Sequence, residues 1–195
     1  MDKDLIRLQR ILLLVYPKYA DFQLGHLLFF LKKIGNYDIV TFSVDGKPVR
    51  SLGGLTIIPD EQLENLHPSS FKLVILPGGD GIEHVAKHVK LHQFMNDARA
   101  IQTPIASICG SAAILGYAGL LENTTFTCNP ITYKHFNDAF SNATYTNTTM
   151  EIGDELITAK GTAFAEFAVE VGKLLHLWKD KQQEQWALDF CVGRM

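Results

Sequence analysis

Cys109 stands between a short apolar run, Thr103-Pro-Ile-Ala-Ser-Ile108, and a run of small residues, Gly110-Ser-Ala-Ala113. A strand that feeds directly into a helix, with a cysteine at the junction, has the geometry of a nucleophile elbow. Such a turn crowds the residues two before and two after the nucleophile. Both must therefore be small, and here they are Ser107 and Ser111. A helix N-terminus favours the thiolate over the thiol. The N–H of Gly110 is then placed where a developing oxyanion could be held. The plainer alternative is an inert, buried thiol, because free cysteines pack as small apolar residues. Cys128 and Cys191 lack this setting and are expected to be structural.

A second feature is Leu76-Pro-Gly-Gly-Asp-Gly81. Consecutive glycines after a strand let backbone N–H groups approach a ligand. Gly79 could supply the other half of an oxyanion hole, with Asp80 on the pocket wall; a phosphate cradle or a plain tight turn fits the same residues. The dinucleotide fingerprint is incomplete, since His84 stands where its last glycine would fall, and no Gly-Lys-Ser/Thr of a P-loop follows. His84, His88 and His92 would share one face of a continuous helix. They lack an acidic or thiol partner at a ligand spacing, so no metal and no cofactor is expected. His26 and His135 are candidate bases only if they reach the elbow; a surface position is the simpler expectation for both.

These residues need a scaffold that brings strand ends together. Ile11–Tyr16, Lys72–Leu76 and Thr103–Ile108 are unbroken apolar runs that read as strands buried on both faces. Between and after them, helices are expected after an Asp21 cap through Gly25–Lys33, over Leu91–Gln102, over Gly110–Leu121 and over Ala163–Lys179. Tyr37–Val44 reads as a further strand, and Val49–Ile58 and Met150–Ala159 as hairpins. The alternation predicts an α/β three-layer sandwich, a mostly parallel flavodoxin-like sheet with helices on both faces, in one domain over residues 1–195. Function in such a sheet sits beyond the carboxyl ends of the strands. The aromatic set Tyr16, Phe22, Phe29 and Phe30 is expected in the core or at a subunit interface. The apolar segment Gln185–Val192 is expected to pack on the body or on a partner.

Composition narrows the classes. The chain has 195 residues, 47% of them hydrophobic and 20% charged, with a formal net charge of -3. It is too apolar for a disordered protein and lacks the basic excess of a nucleic-acid binder. Three cysteines are too few for a disulfide framework. No run reaches the roughly 20 apolar residues of a membrane span, and Ile11–Tyr16 stops at Pro17 without a cleavage signal. A cytoplasmic protein is expected. Three N-x-Thr matches at Asn123, Asn142 and Asn147 then read as chance.

Taken in order, Val15–Leu24, Ser51-Leu-Gly-Gly54, Leu76-Pro-Gly-Gly79, Ser107-Ile-Cys-Gly-Ser111 and Lys160–Ala168 resemble the ThiJ/PfpI superfamily, which shares the class I glutamine amidotransferase fold. The resemblance implies an intracellular, dimeric protein. It implies an activity among glyoxalases or deglycases, peptidases or amidases, isocyanide hydratases, chaperones and stress sensors. It also implies that a glutamate after the first strand meets the reactive cysteine. Here Gln23 holds that position; its amide can donate a hydrogen bond but cannot shuttle a proton. Where many members carry Thr-x-His-Pro, this chain has Thr127-Cys-Asn-Pro130, so Asn129 replaces the histidine. The His-x-Glu pair of the amidotransferases is absent, because Phe164 precedes Glu166 by two. Three functions follow. The first is a cysteine-dependent hydrolase or glyoxalase-like enzyme on a small carbonyl or amide substrate. In it Cys109 is the nucleophile, Gln23 orients it, Gly79 and Gly110 form the oxyanion hole, and Asn129, Asp80 and Ser111 line the pocket. The second is a redox sensor whose thiolate meets an oxidant. The third is a retired binding protein.

Overall fold

A computed structural model describes residues 9–195. The first apolar run forms β1 (Arg10–Leu14), and the chain continues into α1 (Gly25–Lys33) and β2 (Asp38–Ser43). A hairpin of β3 (Val49–Arg50) and β4 (Thr56–Ile57) leads to a short β5 (Glu61–Gln62) and then to β6 (Leu73–Leu76). Next come α2 (Glu83–Ala86), α3 (Val89–Ala100), β7 (Ile105–Ile108) and α4 (Ala112–Tyr117). The remainder comprises β8 (Thr125–Phe126), α5 (Pro130–His135), β9 (Thr144–Tyr145), β10 (Met150–Ile152), β11 (Leu156–Ala159), α6 (Phe164–Leu174) and α7 (Lys181–Cys191).

Seven strands form one sheet in the order β10-β11-β7-β6-β1-β2-β5. Every pairing in it is parallel except β10 with β11 at one edge. The middle strands are buried on both faces: Ile11, Leu12, Leu14, Leu73–Leu76 and Ile105, Ala106 and Ile108 are at 0% exposure. Runs of leucine, isoleucine and valine are stable there because helices cover both sides. Helices α1, α6 and α7 pack on one another, and α2, α3 and α4 form a second group, giving the expected α/β layered architecture. Because β1, β6, β7 and β11 are parallel, their carboxyl ends share one edge of the sheet.

Several local expectations are corrected. Asp21 does not cap α1; that helix begins at Gly25 without a side-chain cap. The Asp21 carboxylate instead accepts from Ser51 Oγ at 2.7 Å and from the Gly53 N–H at 2.9 Å, tying the β3–β4 hairpin to the chain after β1. The helix after Cys109 is shorter than its small-residue run and ends at Tyr117. The long helix from Ala163 stops at Leu174, followed by a left-handed His176, and the apolar C-terminal run forms the separate α7. That helix packs on α6, with Ala187 fully buried. The histidines at 84, 88 and 92 do not share a continuous helix. The chain breaks between α2 and α3, where His88 caps α3 by accepting from the Leu91 N–H, and His92 Nε2 meets Ala86 O at 2.7 Å. Of the aromatic set expected in the core or at a subunit interface, Tyr16 and Phe30 lie in the core, and Phe22 and Phe29 stand at the surface, as the interface alternative allows. Among the described residues no helix is long and apolar enough to cross a membrane.

Candidate active site at the carboxyl edge of the sheet

Four chain segments leave the sheet at its shared edge and converge on one sulfur. Cys109 follows β7 directly and takes a left-handed backbone, φ 67°. A side chain in that region costs about 1–2 kcal/mol, so neighbouring bonds must hold it. Ser111 supplies them. Its hydroxyl is fully buried, 2.6 Å from Leu76 O, and it accepts from the Ile108 N–H at 3.2 Å. It is also 2.8 Å from Ser107 Oγ. Ser111 therefore does not line a pocket, as expected from sequence, but pins the turn from beneath to β6 and β7. The small residues two before and two after Cys109 do meet, through this hydroxyl pair.

The Cys109 thiol is half-buried. Asn129, at the start of α5, donates from Nδ2 to Cys109 Sγ at 3.3 Å, and its Oδ1 accepts from the Gly161 N–H at 2.7 Å. Gln23, 3% exposed, lies in the short turn after β1. Its Oε1 accepts from the Gly78 N–H at 3.0 Å and its Nε2 donates to Gly161 O at 3.2 Å. Both ends of the Gln23 amide are thus engaged by backbone, and it makes no hydrogen bond to the thiol. The two amides fix their own orientations: each has one oxygen facing an N–H, so neither can flip without losing a bond.

Gly78 and Gly161 close the site by their lack of side chains. A Cβ on Gly78 would lie 2.3 Å from Cys109 Cβ and 2.9 Å from Gln23 Oε1. A Cβ on Gly161 would lie 2.8 Å from Cys109 Sγ, 2.9 Å from Gln23 Nε2 and 3.0 Å from Asn129 Nδ2. Gly161 follows β11 and belongs to the site, yet residue type and spacing had not singled it out. Its signal, a glycine two residues past the end of a parallel strand, becomes readable only once β11 is known to pair with β7. Gly79 adopts φ 146° and packs against Lys18 O and Tyr19 Cα. Its N–H has no acceptor among the described residues. Gly110 is buried in the turn against Ile82. Asp80 is exposed and lies on a neighbouring cleft.

No ionisable side chain hydrogen-bonds the thiol among the described residues. Tyr16 lies beneath the site, with its hydroxyl donating to Pro77 O at 2.9 Å. Burial pushes its phenol well above the ordinary tyrosine value, and the charges of Cys109 and Asp80 add to that; it remains a neutral donor. Burial pushes the Cys128 thiol up to about 12 and Cys191 up to about 11. The candidate bases lie elsewhere. His26 stacks on Phe164 and meets the edge of Phe190, and His135 Nε2 pairs with Glu83 at 2.7 Å. Among the described residues no three histidine, cysteine, aspartate or glutamate side chains are grouped to hold a metal ion.

Comparison with known proteins places this geometry. The DJ-1/PfpI family model matches residues 9–174. An uncharacterized protease of Bacillus subtilis, YoaZ, is 30% identical over 91% of this chain and 89% of its own length. The glutathione-independent glyoxalase DJR-1.2 of Caenorhabditis elegans is 25% identical over 72% of this chain and 75% of its own. Among solved structures, the DJ-1 superfamily protein Atu0886 from Agrobacterium tumefaciens superposes with a TM-score of 0.83 at 27% identity, covering 96% of this chain and all of that one. With the family pattern spanning the sheet, the cysteine turn and the whole of α6, this chain belongs to the DJ-1/PfpI family.

Proposed function

We propose that the chain is a cysteine-dependent, glyoxalase- or hydrolase-like enzyme acting on a small carbonyl or amide-like substrate, with Cys109 as the nucleophile. One observation carries the reading. A half-buried thiol is held in a strained turn, receives an amide N–H at 3.3 Å, and stands next to a loop whose Gly79 N–H has no acceptor among the described residues. Relatives named as a protease, a glyoxalase and a deglycase support the same chemistry.

In the first step the Cys109 sulfur attacks the carbonyl carbon. The S–C bond forms as the carbonyl π bond breaks, and the electron pair moves to oxygen. The N–H groups of Gly79 and Gly110 would hold that oxyanion, and the thiol's proton ends on it through solvent. Asn129 steadies the sulfur, and Gln23 holds the Gly78 and Gly161 walls in place. Later proton transfers, the enediol shift of a glyoxalase or protonation of a leaving amine, have no ionisable side chain hydrogen-bonded to the sulfur among the described residues. Water or the substrate must serve, and general acid–base help worth roughly 10²–10⁴ in rate is absent. The proposed enzyme is therefore slow.

The same lack of a proton carrier favours a second reading. A thiolate that adds an oxidant needs no base, and Asn129 Nδ2 is positioned to donate to the added oxygen. A panel of small aldehydes and amides, run with the native protein and Cys109→Ser, separates the two. Turnover lost in Cys109→Ser supports the enzyme. Absence of turnover, with peroxide adding oxygen selectively at Cys109, supports the sensor. Oxidation that falls equally on Cys128 or Cys191, again without turnover, overturns both.

A further inference from the structure

We propose that the cleft beside the Cys109 site is an anion subsite, so that the substrates reacting there carry a carboxylate or phosphate next to the carbonyl. This rests on the reading of Cys109 as a nucleophile. The cleft, of about 530 Å³, is lined by Lys18, Arg50, Ser51, Gly53, Gly54 and Asp80, among others. It opens at the same sheet edge as the thiol. Lys18 follows β1 and Asp80 follows β6. The glycine loop links the two sites directly: Gly78 packs on Cys109, Gly79 packs on Lys18 O, and Asp80 is on the cleft wall. At about 3.8 Å per residue, the cleft begins roughly two residues from the thiol's support.

The two cations are set as a pair. The Lys18 N–H donates to Arg50 O at 2.7 Å, so one backbone bond holds the two residues side by side on the cleft wall. Lys18 stands in a left-handed conformation, φ 60°, that glycine would adopt with less strain. The Arg50 guanidinium arches over Gly54, where an added Cβ would be 3.7 Å from Nη2. Neither cation has an acidic partner within ion-pair distance among the described residues. The nearby Asp21 carboxylate is occupied by Ser51 Oγ and the Gly53 N–H. Asp80 is the one acid lining the cleft among the described residues, and the Asp21 carboxylate behind Ser51 and Gly53 keeps its charge, so what the cleft offers an anion is an unpaired guanidinium and ammonium, not a net positive charge. A guanidinium fork binds the paired oxygens of a carboxylate or phosphate in two parallel bonds. An anion held there would orient its attached carbonyl toward the sulfur.

The test compares two alkylating agents that differ only in charge. Iodoacetate and iodoacetamide both lose iodide to the Cys109 sulfur. Relative to an uncharged thiol such as 2-mercaptoethanol, iodoacetate is expected to be favoured about fivefold to tenfold at low salt, and the preference should shrink as salt rises. Lys18→Gly, which keeps the left-handed backbone, combined with Arg50→Gln, should abolish the preference. No preference in the native protein, or one that survives in the double variant, overturns the anion subsite. A titration with inorganic phosphate reads the cleft without the thiol. Amide shifts at Gly53, Gly54 and Asp80 are expected in the native protein and not in the double variant; their absence in the native protein also overturns the subsite. If Cys109 resists both reagents while phosphate still binds at those amides, the nucleophile reading falls and the anion subsite stands.

Discussion

Gly161→Ala probes whether the site is closed by the absence of a side chain. The added methyl would meet Cys109 Sγ at 2.8 Å, Gln23 Nε2 at 2.9 Å and Asn129 Nδ2 at 3.0 Å. Carbon contacts are comfortable only from about 3.5 Å. None of the three neighbours is a free end: Gln23 is bonded at both amide atoms, Asn129 likewise, and Cys109 is locked in its turn. Relieving the clash must break a hydrogen bond or shift β11. Overpacking of this kind costs about 1–3 kcal/mol. Loss of glycine's freedom in the unfolded chain returns about 0.4–1 kcal/mol. The net is a destabilisation of about 1–2 kcal/mol, or a fall in Tm of about 2–8 °C for a chain of this size. The alkylation rate of Cys109 should fall about tenfold if the Asn129 donor is displaced from the reacting sulfur, a loss worth about 1.5 kcal/mol. Calorimetry and peptide mass spectrometry read the two effects. Gly25→Ala is the control, because a Cβ at that position meets nothing within 4 Å. A Gly161→Ala protein with native Tm and native alkylation rate would refute the argument that Gly161 closes the site.

Three further outcomes are expected. In Gln23→Glu, only a protonated carboxyl can donate to Gly161 O in this buried position, so the folded-state pKa lies above the ordinary glutamate value of about 4.3. The variant should match the native protein best below about pH 4.3 and lose stability as pH rises through the folded pKa; a Tm difference that stays flat between acid and neutral pH contradicts this. Ser111→Ala leaves the buried Ile108 N–H without its acceptor and Leu76 O without its hydroxyl donor. A loss of about 1–3 kcal/mol is expected in urea unfolding; no measurable loss would mean that Ser111 does not hold the turn. Cys128 and Cys191, raised to about 12 and about 11 chiefly by burial, stay protonated at pH 8. Both should label far more slowly than Cys109 in the folded protein and at comparable rates in urea; early labelling of Cys128 would show that its burial has been misread.

What the sequence determined by itself is the scaffold and the sulfur. Short apolar runs without alternation, closed by proline or glycine, fit strands covered on both faces, and their alternation with helices pointed to a parallel sheet. The small residues around Cys109 required a tight turn at a strand end, because anything larger at 107 or 111 would collide there. What it could not determine is which atoms the side chains would choose. Asp21, a good helix cap by type, found closer donors on the β3–β4 hairpin, thirty residues on along the chain. Ser111 faced β6 and not the pocket. Gln23 and Asn129 lie 106 residues apart in the chain, and their amides are engaged by two glycines from two further segments. Gly161 shows the limit most clearly. Gly161 falls in the Lys160–Ala168 segment that carries the family resemblance, yet its residue type gives it no role, and only the parallel pairing of β11 with β7 sets its backbone against the sulfur. Local patterning follows from steric and solvent preferences of neighbouring residues, whereas a site assembled from four strand ends depends on sheet order, a property no single segment contains.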